Sequence, residues 1–350
     1  MHPNLKEEFP VLRSYTYLNT PASGLLSESL MECRQNHDID YLIGGSLFRD
    51  THKPFLESVR KTVADFFKAN AANTVLIPNF SFGFRVLLEC FPEKTKFLVV
   101  EDDYPTLIDP LNKKKFQLFY AANNATLEEN IEKAIETHQP EVLAISLVQY
   151  IDGKVIDFQK LRSIKQKHPK LLIIADGTQF FGTEVFDFDN SPIDAVGASG
   201  YKWLLGGYGN GFFMFKESFK KQFFPSGQDE FIAHFESGHQ DTFNYGSLQF
   251  SLQYLKKTGM ETIQNHIREL SERAFKGFVE LNLLRDDTLQ RTRHSAIFNL
   301  KGDEKLLEYL KQKDILAAFR GDGIRVGFHF YNTQKDVDKL LDALRKYIRK

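Results

Sequence analysis

Cysteine is scarce in this chain: only Cys33 and Cys90 occur in 350 residues. Two thiols cannot frame a disulfide-stapled fold, so stability has to come from a core. Net charge is missing too, with 45 Lys and Arg against 46 Asp and Glu. No long basic run occurs, which excludes the electrostatic footprint of a nucleic-acid binder. The short cluster Lys113, Lys114, Lys115 lies between two apolar runs and reads as a solvated loop. Also absent are an apolar stretch long enough to span a membrane and, in MHPNLKEEFP, the charged-then-apolar pattern of a secretory leader. A soluble protein in a reducing, cytoplasmic setting is expected. There is no internal repeat and no low-complexity linker.

Phenylalanine, by contrast, is abundant at 33 residues, so aromatic side chains are expected to dominate the core or a subunit interface. The length suggests a large domain plus a smaller one. From about Pro54 to Met214, short apolar runs alternate with helical patterns. Phe55, Leu56, Val59, Val63, Phe66 and Phe67 fall at helical spacing, Val75–Ile77 predicts a strand, and a helix follows from about Phe82 to Phe91. Further strands are predicted at Phe97–Val100, Phe116–Tyr120, Val142–Val148 and Leu171–Ala175. Thr126 and Glu129 have capping-box spacing before a helix that Pro140 stops, and Phe158, Leu161 and Ile164 mark another helix.

Strands apolar on both faces, alternating with amphipathic helices, predict an α/β fold with a mostly parallel central sheet sandwiched by helices. After Gly246 the pattern changes. A long helix is predicted from about Glu261 to Leu283, with strands at Ala296–Leu300, Ile315–Phe319 and Ile324–Phe330. A helix near Leu306–Leu310 interrupts them, and Thr333 caps a last one. This reads as a smaller α+β C-terminal domain. The large domain is therefore expected over 17–245, and the small one over 1–16 and 246–350.

The chemistry concentrates in two segments. In LLIIADGTQFFG an apolar strand delivers Asp176 at its carboxyl end, where open α/β sheets place their ligands, and Gln179 follows in the same turn. In SGYKWLLGGYGNGFFMF, Lys202 sits between aromatics in a segment too apolar for a solvated loop. Pyridoxal phosphate (PLP) requires this set. A lysine amine forms the imine and then serves as base for the Cα proton. A buried carboxylate keeps the pyridine nitrogen protonated, and a donor such as Gln179 holds the phenolic oxygen. The phosphate wants backbone N–H groups and hydroxyls at a helix N-terminus, which Asn79, Phe80 and Ser81 supply. Plainer roles stay open for each residue: Lys202 as a structural lysine, Asp176 as a turn former, Ser81 as an N-cap. The glycines of 206–211 do not fit G-x-G-x-x-G and read as a flexible turn into a strand at Phe212–Phe215.

Taken together, these pieces resemble the class V aminotransferases and cysteine desulfurases of the fold-type I PLP enzymes. YLNTPASG (Tyr17 to Gly24) is similar to the family's opening strand and substrate-side loop, which puts Asn19 beside the substrate. Phe80 and Ser81 stand at the phosphate-binding pair, and EDDYPT makes Tyr104 the aromatic that stacks on the pyridine. ISLVQYIDG places Gln149 near the substrate. ADGTQ and SGYKWLLGGYGNG are the most specific matches, and the resemblance adds the hydroxyls of Ser199 and Tyr201 to the phosphate site. GIRVGFHFYNTQKDVD resembles the closing motif, so Arg325 is expected on the substrate carboxylate, with Arg320 a lesser candidate. The resemblance also implies a homodimer whose partner completes the phosphate site with a Thr after a Gly. Here Gly238 is followed by His239, which either serves instead or caps a loop.

Two departures matter. No cysteine follows Cys90, which argues against a persulfide-forming cysteine desulfurase. Tyr201 replaces the His that often precedes the Schiff-base lysine, leaning toward the kynureninase-like branch, whose members are typically longer. The expectation is a PLP enzyme acting on a small α-amino acid through a Schiff base on Lys202, foremost an aminotransferase, with no metal. Alternatives are a PLP-dependent lyase, kynureninase-like or β-eliminating, an epimerase, or a non-catalytic protein that binds PLP or a partner.

Overall fold

The structure, a computed structural model, describes residues 4–349. Among these residues the strands, in chain order, begin with β1 (Thr16–Tyr17), β2 (Thr74–Ile77), β3 (Lys96–Val100) and β4 (Gln117–Ala121). Next come β5 (Val142–Ser146), β6 (Leu172–Asp176), β7 (Ala195–Ser199) and β8 (Gly211–Phe215). The last are β9 (Ile297–Lys301), β10 (Ile315–Leu316), β11 (Ala318–Arg320) and β12 (Gly323–Gly327). The main sheet runs β2-β8-β7-β6-β5-β3-β4. It is parallel from β7 through β4, and β8 runs antiparallel to both of its neighbours.

Helices cover this sheet on both faces, as the apolar strands require. Alternate residues of β3 show it: Leu98 and Val100 enter one buried cluster, Phe97 and Val99 the other. Phenylalanines fill the second face, where Phe80 stacks on Phe84 and Phe213, and Phe215 packs against Phe219, Phe231 and Phe235. The smaller unit is the antiparallel sheet β11-β12-β9, with the helices Met260–Glu280 and Gln334–Ile348 contributing to its core. β1 pairs in parallel with β10, which ties the N-terminal segment to this unit. No helix among the described residues is long and apolar enough to cross a membrane.

Three local expectations change. Asn79, not Ser81, caps the helix Phe80–Leu87, because its side chain reaches Phe82 N at 2.9 Å. The box at Thr126 does not close: Thr126 Oγ1 turns to Asn124 Oδ1 at 2.9 Å, and Glu129 pairs with Lys160. β12 stops at Gly327, and the following residues form a turn in which Asn332 Oδ1 accepts from His329 N at 2.8 Å. The expected domain limit between 245 and 246 falls inside the helix Thr242–Thr258. Its Leu248, Leu252 and Leu255 join the core of the main sheet.

Candidate active site

The carboxyl ends of β3, β5, β6 and β7 meet at one edge of the parallel sheet, and the turns that leave them carry the chemistry. Asp176 is the last residue of β6 and is buried; one carboxylate oxygen accepts from Thr178 N at 2.8 Å. Lys202 lies in the turn after β7, 5% exposed. Its Nζ stands 5.2 Å from the centre of the Tyr104 ring and 5.6 Å from that of Tyr201. Among the described residues no carboxylate lies within 4.0 Å of it.

Electrostatics follow from that burial. Desolvation pushes Lys202 down to about 8; Asp176 opposes the shift, and Arg325 and Arg320 add to it. Burial likewise lifts Asp176 to about 6, against the hydrogen bonds from Thr178 and the charge of Lys202. The two groups therefore feel each other within one low-dielectric site. Arg325, on β12, is 3% exposed; Nη1 donates to Tyr150 O at 2.7 Å, while its Nε has no hydrogen-bond partner. Desolvation, reinforced by Arg320, brings it down to about 10. A buried guanidinium without a carboxylate is costly alone and suited to an incoming one.

A family model, aminotransferase class V, matches residues 47–340. The chain belongs to the class V aminotransferase family. An uncharacterised aminotransferase of Bacillus subtilis is 22% identical across 97% of this chain and 96% of that relative. Among solved structures, the apo cysteine desulfurase of Thermococcus onnurineus superposes with a TM-score of 0.85 at 18% identity, covering all of this chain and 98% of that one. A cystine C–S lyase in complex with its product, cysteine persulfide, gives the same TM-score and identity over 96% of this chain and 98% of its own. At these identities the structures establish a shared fold, the fold-type I architecture of a central mostly parallel sheet flanked by helices.

The protein is thus a PLP-dependent class V enzyme, and its residues fit the cofactor. Lys202 presents an unpaired buried amine, Asp176 a buried carboxylate, and Asn19 Oδ1 a buried acceptor with no partner. Tyr104 stands over the lysine, with its ring edge-on to Tyr150 at 5.0 Å. Ser199 Oγ accepts from Phe80 N at 2.9 Å, which joins β7 to the start of the helix Phe80–Leu87 and sets half-buried Ser81 beside it. Tyr201 stacks on exposed Tyr208 at 4.8 Å, and burial, then Tyr104 and Asp176, push its pKa up. Gln179 is already engaged: Nε2 donates to Pro21 O at 2.9 Å, and Oε1 accepts from Trp203 Nε1 at 2.7 Å. That leaves one N–H of the amide without a bond to the protein. Gln149 is buried beside Asp103 and Asn123, and its carbonyl neighbour Tyr150 holds Arg325. His239 does not join its own chain's cluster; it is exposed in the loop before the helix Thr242–Thr258.

Sequence reasoning passed over Asp103, Trp203 and His329. Asp103 is buried, with Ser146 N at 2.9 Å and Tyr104 N at 2.6 Å on its carboxylate. It follows an exposed aspartate, Asp102, and nothing in the letters separates the two. Trp203 and His329 are fully buried together: His329 Nε2 donates to Trp203 O at 2.9 Å while Nδ1 accepts from Phe330 N at 2.8 Å. Gly24 packs directly on the backbone of the lysine turn, since a Cβ there would lie 1.9 Å from Lys202 O. Beside Tyr150, a cavity of about 770 Å³ lined by Asp102, Asp103, Tyr120, Tyr150 and Gly321 opens to solvent.

Proposed function

We propose that this enzyme is an aminotransferase for a small α-amino acid, with Lys202 holding PLP and moving the substrate's α-proton. The observation that carries the reading is the pairing of a buried amine and a buried guanidinium, neither with a carboxylate of its own. When bound, the pyridine ring takes up the electron pair released at the α-carbon. Asp176, at the end of β6, would keep the ring nitrogen protonated. Arg325 binds the α-carboxylate and so orients the substrate. Lys202, lowered to about 8, is a free base in a useful fraction of molecules near neutral pH, so it takes the proton and gives it back. Phe80, Ser81, Ser199 and Tyr201 would supply amides and hydroxyls to the phosphate, and Tyr104 would be the aromatic against the ring.

A second reading is lyase chemistry, favoured by the likeness to the cystine C–S lyase. The same base serves it, and no protein thiol is required. Persulfide chemistry is the weaker reading: burial and Glu89 push the Cys90 thiol up to about 12, and Cys90 faces His234 at 3.6 Å rather than the site. The enzyme is further proposed to act as a homodimer, because Tyr41, Leu42 and Ile43, in the last turn of the helix Glu28–Gly44, and Leu47 just beyond it leave an apolar patch exposed.

The test uses PLP-loaded protein. Borohydride is expected to bleach wild type and leave the cofactor covalently fixed to the peptide that carries Lys202, whereas denatured, borohydride-treated Lys202→Ala keeps no cofactor mass. Cofactor mass on another peptide of the reduced wild type, or on reduced Lys202→Ala, would refute the assignment. With a panel of amino acids, keto-acid formation that depends on an acceptor keto acid marks transamination; pyruvate with ammonia marks elimination.

A further inference from the structure

Gln149 lies in a polar chain that runs from a buried cation to a buried anion. At one end, Lys154 is 4% exposed and pairs with Asp152 at 2.8 Å. Its Nζ also donates to Asn123 Oδ1 and to Asn123 O, each at 3.1 Å. With that oxygen taken, the Asn123 amide turns its Nδ2 toward Gln149 and donates to Oε1 at 3.3 Å. At the other end, Asp103 sits between the ends of the adjacent strands β3 and β5. Its Oδ2 accepts from Ser146 N at 2.9 Å and from Gln149 Nε2 at 3.3 Å. Its Oδ1 accepts from Tyr104 N at 2.6 Å and from Ser146 Oγ at 2.5 Å. Three of these four neighbours are N–H groups, which can only donate, and these hydrogen bonds favour the acceptor-only carboxylate against the burial that pushes its pKa up.

An amide between a donor and an acceptor has one satisfied orientation; flipped, Gln149 would set oxygen against carboxylate and N–H against N–H. Its carbonyl is consumed by Asn123 and one N–H by Asp103. What remains is a single N–H, on the residue preceding Tyr150, whose carbonyl holds Arg325 at 2.7 Å. We propose that Asp103 is a positioning residue that, with Lys154 and Asn123 at the opposite end, locks Gln149 as a donor, so that Gln149 and Arg325 together read the substrate's α-carboxylate. Through Tyr104 N the same carboxylate fixes the start of the helix that carries the aromatic over Lys202. This rests on the reading of Lys202 as the PLP lysine.

Two reagents of the same nucleophile separate carboxylate recognition from cofactor chemistry: aminooxyacetate, which carries a carboxylate, and O-methylhydroxylamine, which does not. Both are mixed with PLP-loaded enzyme, and the rate of the cofactor's absorbance change is recorded. Wild type is expected to prefer aminooxyacetate. Asp103→Asn turns an N–H toward donors, frees Gln149 to flip, and reduces that preference about tenfold, the scale of a hydrogen bond to a charged group. Lys154→Met does the same from the far end and serves if Asp103→Asn does not fold. In Gln149→Met the preference falls alike, and adding Asp103→Asn lowers it no further. Equal slowing of both reagents, or losses that multiply in the double variant, would overturn the lock and leave the PLP assignment standing. A wild-type spectrum that responds to neither reagent would sink the PLP assignment itself.

Discussion

His329 shows how one buried ring shapes both the site and the pH response of the fold. It is fully buried and neutral, held as the Nε2–H tautomer by the carbonyl of Trp203 and the amide of Phe330. Desolvation brings its pKa from 6.5 to about 3, against the pull of the Trp203 carbonyl. Above pH 6.5 neither the folded nor the unfolded chain protonates it, and its contribution is complete. Between 6.5 and about 3 the unfolded chain takes a proton that the folded one refuses, so stability falls as pH falls, by about 1.4 kcal/mol per unit. Chemical denaturation of His329→Phe from pH 7 to 4 is expected to show a shallower acid loss than wild type. It should also be less stable at pH 7 by about 2–4 kcal/mol, because Trp203 O and Phe330 N are left unpaired. An identical acid slope in both proteins would rule out His329 as its source.

At the level of elements, the two bodies are joined by more than apolar contact. Arg291, in the loop leading to β9, grips Glu128 of the helix Leu127–His138 with both nitrogens, Nη1 to Oε2 at 2.6 Å and Nη2 to Oε1 at 2.8 Å. Nη2 also donates to Val155 O at 2.6 Å, and Glu128 Oε1 accepts from Asp157 N at 2.7 Å. Both side chains are largely withdrawn from water, 10% and 2% exposed. Removing one partner leaves the other charge buried and unpaired, so Glu128→Ala is expected to cost about 3–5 kcal/mol. Differential scanning calorimetry of Glu128→Ala beside the exposed control Lys61→Ala, whose pair with Asp65 is worth little, checks this. Equal melting temperatures for the two variants would refute the clamp. The pairing was not legible in the sequence, since positions 128 and 291 are far apart and only folding makes them neighbours.

For the whole molecule, the main question is what covers the apolar patch around residues 41–47. Leu42, Ile43 and Leu47 are 82%, 79% and 72% exposed, which an isolated soluble chain rarely sustains in one place. In the proposed homodimer the patch is buried, and light scattering should give twice the 40.4 kDa chain mass. Leu42→Glu with Leu47→Glu is expected to halve that mass and lower PLP affinity, since the resemblance expects the partner to complete the phosphate site. A wild-type mass of one chain would end the proposal. The helix Thr242–Thr258 was hidden from sequence reading for a related reason. It meets other helices on several sides, so its apolar residues do not gather into one stripe.

What the amino-acid order determined by itself is the alternation of buried strands and amphipathic helices, and with it the parallel sheet. It also determined that an apolar strand delivers Asp176 at its carboxyl end. Those features depend on local patterning, which neighbouring letters express. The pairing of β7 with β6, which brings Lys202 to the same edge, came from the fold. Tertiary structure alone decided which of two adjacent aspartates is buried, which way the Gln149 amide faces, and how Gln179 divides between Pro21 and Trp203. These depend on burial and on hydrogen-bond partners brought in from distant strands, and an amide or carboxylate acquires its chemical role only once those partners are in place.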